Sequence, residues 1–417
     1  MKRYCIFGLL IFLGFYANAQ FQISSEIRDR FEFRDGYKKL TTVDQLTSSS
    51  ISQRTRLSFQ YSTDNIKLVF SPQDVRIWGD EQLFSSTGVY GDDYSLSLFE
   101  GYAEFAISQK IWLSAGRQQL KYDNQRILAA RNWNQNGIAY DAVVLKFQDK
   151  NWNAHIGSSW NSINQNNNLY PNDKLKTLNF LWINKKLNDK SNVSFVHIAS
   201  GVTETDSTNV IFFKQTTGLF VDLTLNKIKF QGDGFYQYGQ NNTGQNISAF
   251  LFDADVAFEL GKFTPHLGIG YLSGDKNLSD NTDCLFDVLY GARHKYFGYI
   301  DYFSDFTKNT KQGGLVDYYC VLAFKFSKKN QLENTVHYFQ LSQSNSATPL
   351  NKDLGFENDF ILKYKFNEWG DLNCGYSFFV PTSNSLETIQ NVSNPKFSQF
   401  VYIQLTISPI IFEKKSE

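Results

Sequence analysis

The sequence predicts an all-β protein, a transmembrane antiparallel β-barrel of about eighteen strands. Three observations carry this. Apolar and polar residues alternate with period two in segment after segment. Short turn candidates exchange regularly with long polar loops. Aromatic residues make up 16% of the chain, with 38 Phe and 23 Tyr against 7 Pro. The 417 residues hold 41 Lys and Arg against 41 Asp and Glu, so the net charge is zero and gives no support to a nucleic-acid binder. Beyond the first twenty residues no apolar run reaches the eighteen or so that a membrane helix requires. A 42% hydrophobic content excludes a disordered chain.

The first element is a leader. Lys2 and Arg3 precede an apolar stretch from Tyr4 to Tyr16, closed by Ala17-Asn18-Ala19. A charged start, a short greasy middle and small residues at the end are the order of a secretory signal. Cleavage is expected after Ala19, leaving residues 20–417 as a single outer-membrane barrel domain. Cys284, Cys320 and Cys374 then remain. Three widely spaced thiols make neither a disulfide framework nor a zinc site.

The strands follow in order. From Phe21 to Arg34 odd positions are mostly apolar and every even one is polar or charged, which puts the two sets on opposite faces. The pattern returns in Phe213, Thr217, Leu219, Val221, Leu223 and Leu225, and again in Phe250, Phe252, Ala254, Val256, Phe258 and Leu260. Val316, Tyr318, Cys320, Leu322, Phe324 and Phe326 form another row, as do Phe360, Leu362, Tyr364 and Phe366. No stretch has a helical period.

Tight turns are expected at 62–65, 108–110, 149–151, 188–191, 226–227, 261–262, 327–330 and 367–371. Long loops fall near 41–50, 79–94, 121–136, 162–174, 201–210, 240–246, 274–314, 343–355 and 381–396. Eight turns and nine loops connect eighteen strands; one mis-split loop would make sixteen. An even strand number with short turns at one rim and long loops at the other describes a bacterial outer-membrane barrel. A soluble sandwich would have to bury charged rows such as Asp253 and Asp255 in a dry core. A propeller would show a blade repeat, which is absent. In a closed barrel lipid takes the apolar row, water takes the charged row, and no backbone edge is left open.

Eighteen strands enclose a lumen too wide for side chains alone to plug, and it is expected to hold water. Arginine is concentrated near the start: after the leader it occurs at 28, 30, 34, 54, 56, 76, 117, 126, 131 and 293. Arg28, Arg30 and Arg34 share the inward face of the first strand, and Arg54 and Arg56 the polar row of the second. Guanidinium groups grip carboxylates in a planar, two-pronged manner. Contacts worth about 0–1 kcal/mol each in a hydrated lumen suit passage, because a solute must also leave. The arrangement points to a conduit for anionic, carboxylate-bearing solutes. Inward Arg and Glu on adjacent strands also brace a barrel wall, and both readings stand at this point.

Two long loops are expected to narrow the pore. The third holds Asp123, Arg126, Arg131 and Trp133 beside Gly116-Arg117-Gln118; the seventh holds Asp287, Arg293, His294, Lys295, Gly298, Tyr299 and Asp301. A loop this long is usually functional or disordered, and the aromatic density argues for function.

The run Gly116-Arg117-Gln118, Asp123-Asn124-Gln125-Arg126, Trp133, Gly137 and Asp141 resembles a stretch of the alginate-export outer-membrane channels. So do His294 with Gly298-Tyr299-Ile300-Asp301, Gly355-Phe356-Glu357-Asn358-Asp359, and the closing Phe400-Val401-Tyr402-Ile403-Gln404-Leu405. The resemblance spans nearly the whole mature chain in order. It implies an eighteen-strand barrel whose electropositive constriction passes a polyuronate, and it assigns Arg117, Arg126, Asp141, His294, Asp301 and Glu357 to the pathway. Arg28, Arg30, Arg54, Arg56, Arg76 and Arg131 join them from the charge pattern. Two positions depart: Ala129 stands where the pattern usually has Gly, and Ile138 where it often has Arg.

Enzymatic motifs are absent. The five histidines are scattered singly, and there is no nucleophile elbow, phosphate loop or zinc-protease motif. No cofactor or metal is expected, and no nucleic acid. The expected partners are an anionic carbohydrate or carboxylate solute, outer-membrane lipid and a periplasmic secretion protein. The barrel is wide enough to work as a monomer. A plugged, energy-coupled transporter would need a globular plug ahead of its first strand, whereas strand one is expected directly after the leader. Two alternatives remain: a general or nutrient-uptake porin with no polysaccharide role, and an adhesin using its long loops.

Overall fold

The computed structural model describes residues 19–79, 96–161, 175–203, 210–276, 280–305, 309–344 and 351–414. The leader, apart from Ala19, lies outside the described residues, as do most of the expected second, fourth and fifth long loops.

Among the described residues eighteen long strands alternate up and down. They are β1 (Gln20–Asp35), β2 (Ser48–Ser62), β3 (Ile66–Ile77), β4 (Leu96–Ser108), β5 (Ile111–Gln118) and β6 (Tyr140–Gln148). Next come β7 (Trp152–Trp160), β8 (Leu175–Asn188), β9 (Ser191–Thr203), β10 (Ile211–Leu225), β11 (Ile228–Gln240) and β12 (Asn246–Phe258). The last six are β13 (Phe263–Leu272), β14 (Leu315–Lys325), β15 (Asn330–Gln340), β16 (Asp353–Asn367), β17 (Gly370–Pro381) and β18 (Ser398–Ile407). All eight tight turns fall where the sequence places them, which settles eighteen strands over sixteen.

Each strand pairs antiparallel with its neighbours, and the ring closes where β1 meets β18, from Ile27↔Ile407 to Asp35↔Gln399. Below that, the chain breaks at Ser408-Pro409 and resumes pairing as Ile410–Lys414, with Phe21 opposite Lys414. Proline has no N–H to give the ladder, so the strand bulges there and continues.

Period two separates two solvents. Leu219 and Phe252 on the outer face are 51% and 50% exposed, a waste in water but the correct surface against lipid. Tryptophans mark both rims of this band: Trp152 and Trp369 beside the tight turns, Trp78 and Trp160 beside the long loops, all 44% exposed or more. Indole rings suit the headgroup level.

The interior departs from the expected open, hydrated lumen. Residues 119–139, between β5 and β6, and the described residues 273–276, 280–305 and 309–314, between β13 and β14, fold inward. Leu120, Ile127 and Leu128 of the first, with Phe286, Phe297, Ile300 and Phe303 of the second, pack into one buried cluster with wall residues Leu178, Ile198, Leu251 and Phe339. Wall and loops together form a hydrophobic core inside the barrel. Among the described residues two short helices belong to loops: α1 (Arg293–Tyr296) and α2 (Ser385–Gln390).

Candidate pore constriction

The arginine row of the first two strands is inward, as the alternation requires, and it holds the first inserted loop. Arg28 donates to the carbonyl oxygens of Asn132 at 2.6 Å and Asn134 at 3.1 Å, and through Nε to the Gln135 side chain at 2.8 Å. Arg30 donates to the Trp133 carbonyl at 2.7 Å. Arg54 reaches the Asn132 side chain at 3.1 Å and the Gln135 carbonyl at 3.2 Å, while Glu26 takes its Nε at 2.6 Å. The three arginines are only 3%, 5% and 0% exposed. Three guanidinium groups thus satisfy carbonyls that an inserted loop cannot pair within a ladder.

Arg56 is placed by a different device. Pro72 in β3 interrupts the ladder, and the register with β4 shifts there, leaving Phe99 without a partner. Phe99 turns inward and its ring lies 3.4 Å beneath the Arg56 guanidinium carbon.

The second inserted loop is tied to the first. Arg131 donates to the carbonyls of Leu289 at 2.8 Å and Gly291 at 3.1 Å. Arg126 crosses to the far wall, meeting Asp253 of β12 at 3.0 Å, with the rings of Tyr296 and Phe297 4.3 Å and 4.7 Å from its guanidinium carbon. His294 bonds Asp301 at 3.0 Å, and the Tyr37 hydroxyl donates to the other Asp301 oxygen at 2.6 Å. Glu357, fully buried on β16, accepts the Ile300 N–H at 2.7 Å. Burial raises the Asp287 carboxyl, but Lys214 at 2.8 Å and Arg293 at 3.6 Å outweigh it and hold it at about 2.

Three expected pathway residues, Arg76, Arg117 and Asp141, lie on the outer face and not in the lumen. Register pairs Arg117 of β5 with Asp141 of β6, on the same face as the exposed Val143 and Leu145. The two side chains form a two-pronged pair at 2.9 Å and 2.8 Å on the outside of the barrel. Arg76 falls on the outer row of β3 by the same parity and pairs with Asp74 at 2.7 Å. All three sit at the loop-side ends of their strands, where the outer face tolerates polar groups.

Between the two inserted loops and the β1 wall lies a cavity of 460 Å³. Arg28, Lys38, Arg131, Arg293, His294 and Lys295 line it, with Asp301 as the one carboxylate among the described residues. That carboxylate is already engaged by His294 and Tyr37. Burial lowers the Lys295 ammonium, as it does any cation short of water. The site therefore gathers positive charge, of which Arg293 is met by Asp287 from outside the cavity lining. Lys38 was missed by the sequence reading; the basic pair Lys38-Lys39 after Gly36 was the available signal.

A family model described as alginate export matches residues 19–384. No curated protein matches the sequence. Solved structures do match in fold. OccAB1 of Acinetobacter baumannii is 13% identical with a TM-score of 0.64, covering 94% of this chain and 97% of that one. OccK9 (OpdG) of Pseudomonas aeruginosa is 11% identical at 0.64, covering 94% and 98%. OccAB4 of Acinetobacter baumannii is 12% identical at 0.63, again covering 94% and 98%.

Proposed function

This chain belongs to the alginate export family, and from that premise we propose that it conducts anionic, carboxylate-bearing solutes of the polyuronate kind across the outer membrane. One observation carries the reading: the constriction cavity is lined by five Lys and Arg side chains and His294, against a single carboxylate, Asp301, that already accepts hydrogen bonds from His294 and Tyr37. A carboxylate entering it exchanges water for several desolvated cations. No one contact is strong enough to trap it. Passage rather than catalysis is the activity. Residues 1–19 direct export and are then removed, the barrel works as a monomer in outer-membrane lipid, and a periplasmic secretion protein delivers the polymer.

A second reading, a nutrient-uptake porin for small carboxylates, is favoured by Ile138. It packs against the interior core where the family pattern often carries Arg, so one cation fewer meets a long polyanion.

Block of single-channel current separates the two. Short uronic-acid oligomers should reduce the current in a concentration-dependent way, while neutral oligosaccharides of equal length should not. Equal block by both would remove the charge-selective reading. Block by monomeric carboxylates alone would favour the porin.

A further inference from the structure

A second cavity, of 330 Å³, shares His294, Lys295 and Tyr299 with the basic one, so those three residues stand between them. Unlike the basic one it carries several carboxylates: Asp233, Asp253, Asp255 and Glu333 face it, beside Lys295, Lys363 and the imidazoles of His266, His294 and His337. Three of the four have a basic partner. Asp253 meets Arg126 at 3.0 Å, Asp255 meets His266 at 3.1 Å, and Glu333 meets Lys363 at 2.9 Å.

Asp233 differs. It is 3% exposed, one of its oxygens accepts the Asn124 amide, and Oδ1 accepts nothing among the described residues. The Lys295 ammonium, which also reaches this cavity, is held by the Asn124 carbonyl at 2.9 Å and the Tyr296 hydroxyl at 3.3 Å. Asp253 lies directly across the ladder from Asp233 and adds negative charge. A buried carboxylate without an ionic partner is costly, and a donor cation relieves that cost. The rings of Tyr296 and Tyr319 line the same space, and aromatic faces attract cations as well.

We propose that this cavity is a second subsite, which takes the ammonium group of a solute whose carboxylate occupies the basic cavity. The substrate class is a zwitterion, a carboxylate carrying an amine. This rests on the anion reading above for the carboxylate half only. The ammonium half rests on Asp233.

Flux into liposomes carrying the full-length channel tests it, with three solutes of matched size: 4-aminobutyrate, butyrate and butylamine. Wild type should saturate with 4-aminobutyrate at a concentration roughly tenfold lower than Asp233→Asn does, the value of one charge-assisted hydrogen bond. Butyrate should behave alike in both, which also shows that the variant has folded. Val321→Asp, which adds a carboxylate to the same cavity across the ladder from His266, should tighten 4-aminobutyrate and gives a second readout if Asp233→Asn does not assemble. An unchanged half-saturation for 4-aminobutyrate in these variants overturns the subsite and leaves Asp233 as a structural residue of the wall. A different result, butyrate passing no faster than butylamine in wild type, would overturn the anion reading while leaving the ammonium subsite to the variants.

Discussion

The guanidinium carbon of Arg30 lies 4.1 Å from the centre of the Trp133 indole ring. The His294 imidazole is stacked parallel to the same ring at 3.9 Å. Two planar groups cannot share one face at those distances, so the indole is held between them. β1 thereby grips the first inserted loop, and that loop grips the second. Removing the indole should loosen both. Trp133→Ala is expected to forfeit about 1–2 kcal/mol of docking from the cation–π contact, to raise single-channel conductance and to add current noise from a mobile constriction. An unaltered, quiet conductance would show that the indole supports nothing.

Arg117 and Asp141 provide the matching control. Their pair lies on the outer face and is 40% and 56% exposed at the side chains, so its contribution to stability is about 0–1 kcal/mol. Arg117→Ala should leave ion selectivity and conductance at wild-type values. A selectivity change like that of a lumen arginine would contradict the outward placement.

Gly298 is required by its surroundings. Its φ is +78°, and a Cβ there would overlap the Glu357 carboxyl group. Gly298→Ala should cost about 1–2 kcal/mol from the left-handed backbone alone, and more from the overlap. Glu357→Ala should relieve only the overlap, so the double variant should be less damaged than the sum of the two singles. Thermal unfolding followed by heat-modifiable gel migration reads this; strict additivity would mean that the two residues do not touch.

The barrel was legible because its two faces meet different solvents. Phe250, Phe252 and Tyr318 sit on the lipid side where period two puts them, and turns such as Asn226-Lys227 carry their own local signal. The interior was less legible. Phe180-Leu181-Trp182-Ile183 and Ala249-Phe250-Leu251-Phe252 are apolar on both faces, the mark of a strand buried on each side. That doubling announces the inserted loops but does not say which loops enter. The family resemblance brought Arg126, His294, Asp301 and Glu357 to notice, and the structure gathers them around the two inserted loops. Arg76 was misplaced because charge was taken as a sign of the lumen, and Arg117 and Asp141 because the resemblance put their motif on the pathway. Parity already grouped Asp141 with Val143 and Leu145, and near the loop-side rim the outer face need not be apolar. The single unpaired oxygen of Asp233 was beyond sequence altogether, since it depends on where Lys295 and Arg126 point.

The reversal potential of the reconstituted channel in a salt gradient tests the central claim most directly. A constriction dominated by Arg28, Lys38, Arg131, Arg293 and Lys295 predicts a potential of the sign set by chloride, moving toward zero when Lys295 is replaced by Glu. A potential of the sign set by potassium, or none in the wild type, would contradict it.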